Sequence, residues 1–175
     1  MPLPERGHGG LLHPEKQADM NPHVRPSLET DCEWIAANLR EADRRECDLW
    51  GLDPLHSLRT GLAYSLQPMS IVGASGKPCA MFGVTFGEAP DATIWLLGTN
   101  EMFDLRISFL RRTSIWLDHV CKPLRHDGTG SITGVGNWVD LRNTKHTAWL
   151  TWAGFKKVAS RVTNDIDIAY FRKAL

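Results

Sequence analysis

No apolar stretch in this 175-residue chain approaches the roughly 18 residues that a membrane-spanning helix needs, so no spanning segment is expected. The opening Met1-Pro2-Leu3-Pro4-Glu5-Arg6 lacks an apolar h-region, and no signal peptide is expected. Net charge is lacking too, because 20 basic and 20 acidic side chains cancel. Without a field of one sign, neither sequence-specific nucleic-acid binding nor attraction to a membrane surface is expected. Balanced charge favours self-association, which fits an oligomer or a multi-subunit assembly. The four cysteines (Cys32, Cys47, Cys79, Cys121) form no C-x-x-C pair and read as buried reduced thiols in a cytosolic setting. No metal is expected: His119, Cys121 and His126 gather around Lys122-Pro123, but their spacing fits no structural zinc site and a fourth ligand is missing. There are no internal repeats.

What is present is enough for one domain. The length suits a single unit, and a hydrophobic content of 42% supports a core. Residues 1–22 carry Pro2, Pro4, Gly7, Gly9, Gly10, Pro14 and Pro22, which forbid a long helix or a central strand. They read as a flexible N-terminal arm, either a tail or a segment that orders against a partner. The domain is then 23–175.

His23-Val24-Arg25 predicts a short strand stopped by Pro26. Thr30-Asp31-Cys32-Glu33 reads as a capping box that starts a helix through Trp34, Ile35 and Leu39. A charged helix is expected from Glu41 to Trp50, with Gly51 closing it. Asp53-Pro54 opens a third, with Leu55, Leu58, Leu62 and Leu66 as its buried stripe. Strands follow at Met69–Ala74, Cys79–Phe86 and Thr93–Leu97, the last apolar enough for a central place in a sheet. The longest helix is expected from Phe103 to Cys121, facing inward through Phe103, Ile107, Leu110, Ser114, Leu117 and Cys121. Then come a strand at Val135–Leu141, a helix at Thr144–Trp152, and strands at Lys156–Ser160 and Ile166–Phe171.

Trp138-Val139-Asp140-Leu141-Arg142-Asn143 runs into His146-Thr147-Ala148-Trp149-Leu150-Thr151-Trp152-Ala153-Gly154-Phe155. Strand, polar corner, short helix and Gly-Phe in this order resemble the closing half of the GNAT N-acetyltransferase fold. The resemblance implies an α/β (α+β) fold with a mixed central sheet of about six to seven strands flanked by helices. The chain from about Val24 to Val158 also resembles the internal virion (core) protein A family of short-tailed phages, which has GNAT-like members. Arg40-Glu41-Ala42-Asp43-Arg44-Arg45-Glu46, Trp95-Leu96-Leu97-Gly98-Thr99-Asn100-Glu101, Asn137-Trp138-Val139-Asp140 with Asn143, and Trp149-Leu150-Thr151-Trp152-Ala153-Gly154-Phe155 carry that likeness. It implies a podovirus protein of the virion, or of the host cytoplasm during assembly, with other virion proteins as partners.

The chemistry of the GNAT pattern is incomplete. The family's Gln/Arg-x-x-Gly-x-Gly/Ala loop, whose amides hold the CoA pyrophosphate, has no counterpart in Gly98 to Ser108. Glu101 and Asp104 put negative charge there and read as helix-cap acids. Counting four residues back from Gly154, where many of these enzymes place an acidic Tyr, lands on Leu150. Asn143 is retained, either as a cap for the following helix or as a cofactor contact.

The first expectation is therefore a non-catalytic structural or morphogenesis protein needing no cofactor. The alternative is an acetyl-CoA-dependent N-acyltransferase acting on an amine of a small molecule or host protein. A host-protein binder without cofactor is the third. Under the alternative, the donor would lie between the Trp95–Thr99 and Gly134–Asp140 strands, held by Leu97, Thr99, Arg106 and Asn143. Glu46, Asn143 and His146 are the catalytic candidates; Asp43 and Asp48 lie beside Glu46, where surface ion pairs such as Glu41–Arg45 and Arg44–Asp48 are the ordinary use. Arg111, Arg112 and Arg125 read as a solvated face. Of seven tryptophans, Trp95, Trp138 and Trp149 suit a core, and Trp34, Trp50, Trp116 and Trp152 suit a partly exposed contact surface.

Overall fold

The computed structural model describes residues 21–87, 90–105, 107, 111–126 and 132–175. The arm expected at 1–22 lies almost wholly outside them. Seven strands form one sheet: β1 (His23–Pro26), β2 (Met69–Val72), β3 (Pro78–Thr85), β4 (Asp91–Gly98), β5 (Gly134–Asp140), β6 (Lys156–Thr163) and β7 (Ile166–Ala174). Their order is β1-β2-β3-β4-β5-β7-β6. Every pairing is antiparallel except β4 with β5. The GNAT resemblance implied a mixed sheet of about six to seven strands, and seven are formed.

Helices α1 (Glu29–Ala37), α2 (Glu41–Leu49) and α3 (Pro54–Tyr64) cover one face; α4 (Thr113–Cys121) and α5 (Thr144–Trp152) cover the other. Alternation along the strands divides the core accordingly. Met81 points into a smaller cluster with Cys32, Ile35, Leu39, Cys47 and Leu58. Ala80, Phe82, Val84 and Ile94 point into the larger cluster with Leu117, Val120 and Leu150.

Three local expectations need correction. Helix α1 starts at Glu29, two residues before the foreseen start, with Leu28 as N-cap. The Asp31 carboxylate accepts the Leu28 N–H at 2.9 Å while pairing with Arg25, so Asp31, not Glu33, completes the cap. Helix α2 carries no surface ion-pair ladder on its inner side, because Asp43 is fully buried and paired with Arg40 at 2.7 Å. The helix expected over Phe103–Cys121 is formed at Thr113–Cys121, but its start is a 3-10 turn at Asn100–Asp104, after which Leu105 adopts an extended backbone. Leu105 is buried at 6% exposure while Ile107, expected on the inward face, is 70% exposed. Leu110 lies outside the described residues. The Asp53 cap and the span of α5 match their sequence signals.

Candidate active site

Strands β4 and β5 pair only over Asp91↔Gly134, Ala92↔Val135 and Thr93↔Gly136, then part. Asn137 stands at the fork. Its carboxamide N–H donates to the Ile94 carbonyl at 2.9 Å, taking the place of a ladder bond, and its oxygen accepts the Trp138 N–H. Below the fork Gly136 is required by close approach: a Cβ there would lie 2.6 Å from the Phe171 carbonyl and from the Tyr170 ring.

Peptides on β4 alternate between its neighbours. Thr99 donates to Cys79 of β3 at 2.8 Å, so Leu97 also faces β3, and Leu96 faces the opening with no β5 residue opposite in the register. Gly98 faces the opening too, but α2 already holds it. Its N–H donates to Asp43 at 2.8 Å, and its carbonyl accepts the Arg40 N–H at 3.0 Å.

A cavity of about 840 Å³ runs through this fork. It is lined from one face by Trp50 and Trp95 and from the other by Trp116 and Leu150. Most of its wall is apolar. Among its polar lining residues, Arg40, Glu46 and His146 form a buried floor. Glu46 projects from α2, and its carboxylate accepts the Asp140 N–H at 3.0 Å. His146 sits in the first turn of α5, oriented by Asn143, whose carboxamide oxygen accepts the His146 N–H at 3.3 Å. The His146 ring and the second Glu46 oxygen come within 4.0 Å. His146 Nδ1 and Arg40 Nε are buried without a hydrogen-bond partner.

Burial sets the protonation of this floor. Desolvation pushes Glu46 up to about 7, helped by the charges of Asp43 and Asp140 and opposed by the Asp140 N–H. Desolvation and then the nearby Arg40 charge push His146 down to about 4, so its ring is neutral at physiological pH. A carboxyl that titrates near neutrality beside a neutral imidazole can accept or return a proton there.

The structure brings Glu46 and His146 together and separates the others. Leu97 lines the cavity with its side chain, while its peptide belongs to β3. Thr99 is buried at 7% exposure, its amide spent on Cys79. Asn143 is the α5 cap and does not line the cavity. Arg106 lies outside the described residues. Leu150 does line the cavity, so no proton donor stands at that position. Glu101 turns away and accepts from the Ser75 N–H and hydroxyl at 2.9 and 2.7 Å. Sequence reasoning passed over Arg40, which is buried in the cavity floor and paired with Asp43.

No family model and no curated protein matches the sequence. Solved structures do match. Spermidine N-acetyltransferase from Vibrio cholerae, solved with CoA and spermine, aligns at 14% identity and TM-score 0.60 over 87% of this chain and 95% of that one. A GNAT-family acetyltransferase from Streptococcus pneumoniae aligns at 13% and 0.58, over 89% and 99%. The ribosomal-protein-S18-alanine N-acetyltransferase from Escherichia coli aligns at 14% and 0.59, over 88% and 94%. The chain has the GNAT fold; these comparisons give the virion-protein resemblance no support.

Proposed function

We propose that this protein is an N-acyltransferase that moves an acyl group from a CoA thioester to an amine, with Glu46 as the proton acceptor. The observation that carries this reading is the cavity through the β4–β5 fork, with the neutral-range carboxyl of Glu46 at its floor. It reverses the order of the two expectations raised by the sequence.

An acyl-CoA fits part of the site. The Leu96 peptide faces the opening and suits the amide-bearing pantetheine arm, and the cavity walls suit its apolar segments. Lys145, exposed and 4.0 Å from the centre of the Phe103 ring, puts one cation at the cavity's edge for the phosphates, while the Arg40 guanidinium stays buried and paired with Asp43. A backbone phosphate cradle is not formed by the described residues, because Gly98 is already bonded and Glu101 is engaged with Ser75. When bound, the donor supplies a thioester carbonyl open to attack by an amine.

The chain's own groups do the rest. Glu46 takes the proton that the amine loses as its nitrogen bonds to the acyl carbon. The C–S bond breaks, and Glu46 returns the proton to the departing sulfur, so the balance closes. His146 stays neutral and adds no competing charge. The apolar walls keep water from the carboxylate, which holds its affinity for a proton high.

Calorimetry with acetyl-CoA tests the reading: micromolar affinity together with thiol release on adding an amine is expected. Absence of binding at millimolar donor would sink it. A second reading is a scaffold that holds neighbouring virion proteins, favoured by the occupied Gly98 peptide and by Leu150 in the cavity wall. Recovery of the protein from purified phage particles, with no donor binding, would make it the better account.

A further inference from the structure

The two edges of the sheet are built differently. β1 is four residues long and is closed by Pro26, which blunts it. β6 runs for eight residues at the other end of the strand order and pairs with β7 alone. Its side chains from Lys156 to Val162 are all exposed, and among the described residues no strand lies along its outer row of peptide groups. Val158 and Val162 are 56% and 64% exposed. A bulge between Lys157 and Ala159 leaves Val158 with no residue opposite it on β7. An edge of this length, with apolar side chains in the open, is a ready template for another strand.

The pattern of side chains selects the strand that fits. Ser160 lies opposite Ala169, a member of the larger core cluster, so Val158, Ser160 and Val162 share the α5 face by alternation. Arg161 is on the other face, over the Trp50 and Trp138 rings. Antiparallel pairing of β6 with a second β6 needs a two-fold axis perpendicular to the sheet, which keeps every residue on its own face. The axis then passes through one residue near the middle of the strand. An axis at Ala159 sets Lys157 opposite Arg161, and one at Arg161 brings the two guanidinium groups face to face; like charges directly opposite are destabilising. An axis at Ser160 has neither fault. It sets Val158 opposite Val162 of the second copy, twice over, and lets the two Ser160 hydroxyls meet. Arg161 then faces Ala159, Lys157 faces Thr163, and Lys156 reaches the Asn164-Asp165 turn, where an exposed acid awaits it.

We propose that β6 is the contact through which two copies of this chain join, edge to edge about an axis at Ser160, into one continuous sheet. The cancelling charges of the chain set no long-range repulsion against that union. The proposal stands apart from the acyltransferase reading and holds equally for a scaffold.

Cysteine cross-linking reads the register. The four native cysteines are buried, so a new surface thiol has no competitor. Ser160→Cys sets two thiols opposite each other, with Cβ atoms about 4.5–5.5 Å apart, and mild oxidation should convert most of the protein to a disulfide-linked dimer. Val162→Cys sets them about 13 Å apart along the strand and should stay unlinked. Sedimentation of the unmodified chain from about 1 to 200 µM should show a monomer–dimer equilibrium. Val162→Lys, at an exposed position that folding does not need, should weaken it about tenfold, because each dimer holds the Val158–Val162 pair twice. A chain that stays monomeric over this range overturns the proposal. So does a dimer indifferent to Val162→Lys, or equal linking of the two cysteine variants. Slow hydrogen exchange of the β6 amides in a protein that stays monomeric would give the edge to another occupant, residues 1–20 or a different protein, and overturns it as well.

Discussion

Glu46 is the side chain on which the proposed chemistry turns, and its environment makes a quantitative demand. Burial holds its carboxyl near 7, so it is about half ionised at neutral pH. A proton acceptor of this kind gives kcat/KM that climbs about tenfold per pH unit below 7 and levels above it. Glu46→Gln keeps the size and the hydrogen bond from Asp140 but removes the base. Its rate should fall by about a hundredfold or more, and the limb near pH 7 should vanish. A full pH–rate profile of both proteins, with thiol release as readout, decides this; an unchanged limb would assign the base elsewhere. His146 cannot substitute, because its ring stays neutral down to about 4 and faces a 4.0 Å gap to Glu46 rather than a formed bond.

The fork between β4 and β5 is held from both ends, and each hold can be broken. At the top, Asp43 pairs with Arg40 at 2.7 Å and accepts the Gly98 N–H, all fully or nearly fully buried. Asp43→Ala would leave a buried guanidinium and a buried amide without partners, and breaking such a pair costs about 3–5 kcal/mol. Urea unfolding should show that loss; a change below about 1 kcal/mol would mean water replaces the carboxylate. At the base, Gly136→Ala would force a methyl against the Phe171 carbonyl, a backbone atom that cannot swing aside. A loss of about 1–3 kcal/mol by the same measurement is expected.

Much at this scale was readable beforehand, and the failures have physical causes. The β-branched and apolar run before Gly98 announced a central strand, Asp53-Pro54 fixed the start of α3, and Asn143 with Thr144 fixed that of α5. The helix expected from Phe103 to Cys121 is formed only at Thr113–Cys121; at its start a 3-10 turn and a buried, extended Leu105 stand instead, because tertiary burial outweighs local periodicity. Within the site, Glu46 and His146 were both visible as candidates, 100 positions apart, but nothing local says that they meet. Arg40 was hidden for the opposite reason. On an Arg- and Glu-rich helix its surface use is the ordinary one, and only the fold turns it and Asp43 inward.

For the molecule as a whole, the cavity floor makes stability depend on pH in two opposing ways. Glu46 is raised from 4.5 to about 7, so between those values the folded chain binds a proton that the unfolded chain has released. Stability from this group is therefore lost as pH rises from about 4.5 to 7. His146 is lowered from 6.5 to about 4, so between those values the unfolded chain holds the extra proton. Its contribution grows as pH rises from about 4 to 6.5. The windows overlap, the slopes have opposite signs, and the pair leaves the unmodified protein nearly indifferent to pH there. Removing either member unmasks the other. Glu46→Gln should lose on the order of 2 kcal/mol of stability when pH falls from 6.5 to 5, and His146→Asn should gain a similar amount over the same fall. Titrating groups shared by all three proteins cancel in the comparison. Urea unfolding of the three at both pH values reads the signs directly. If the two variants moved in the same direction, the protonation states assigned to the floor, and with them the role given to Glu46, would be wrong.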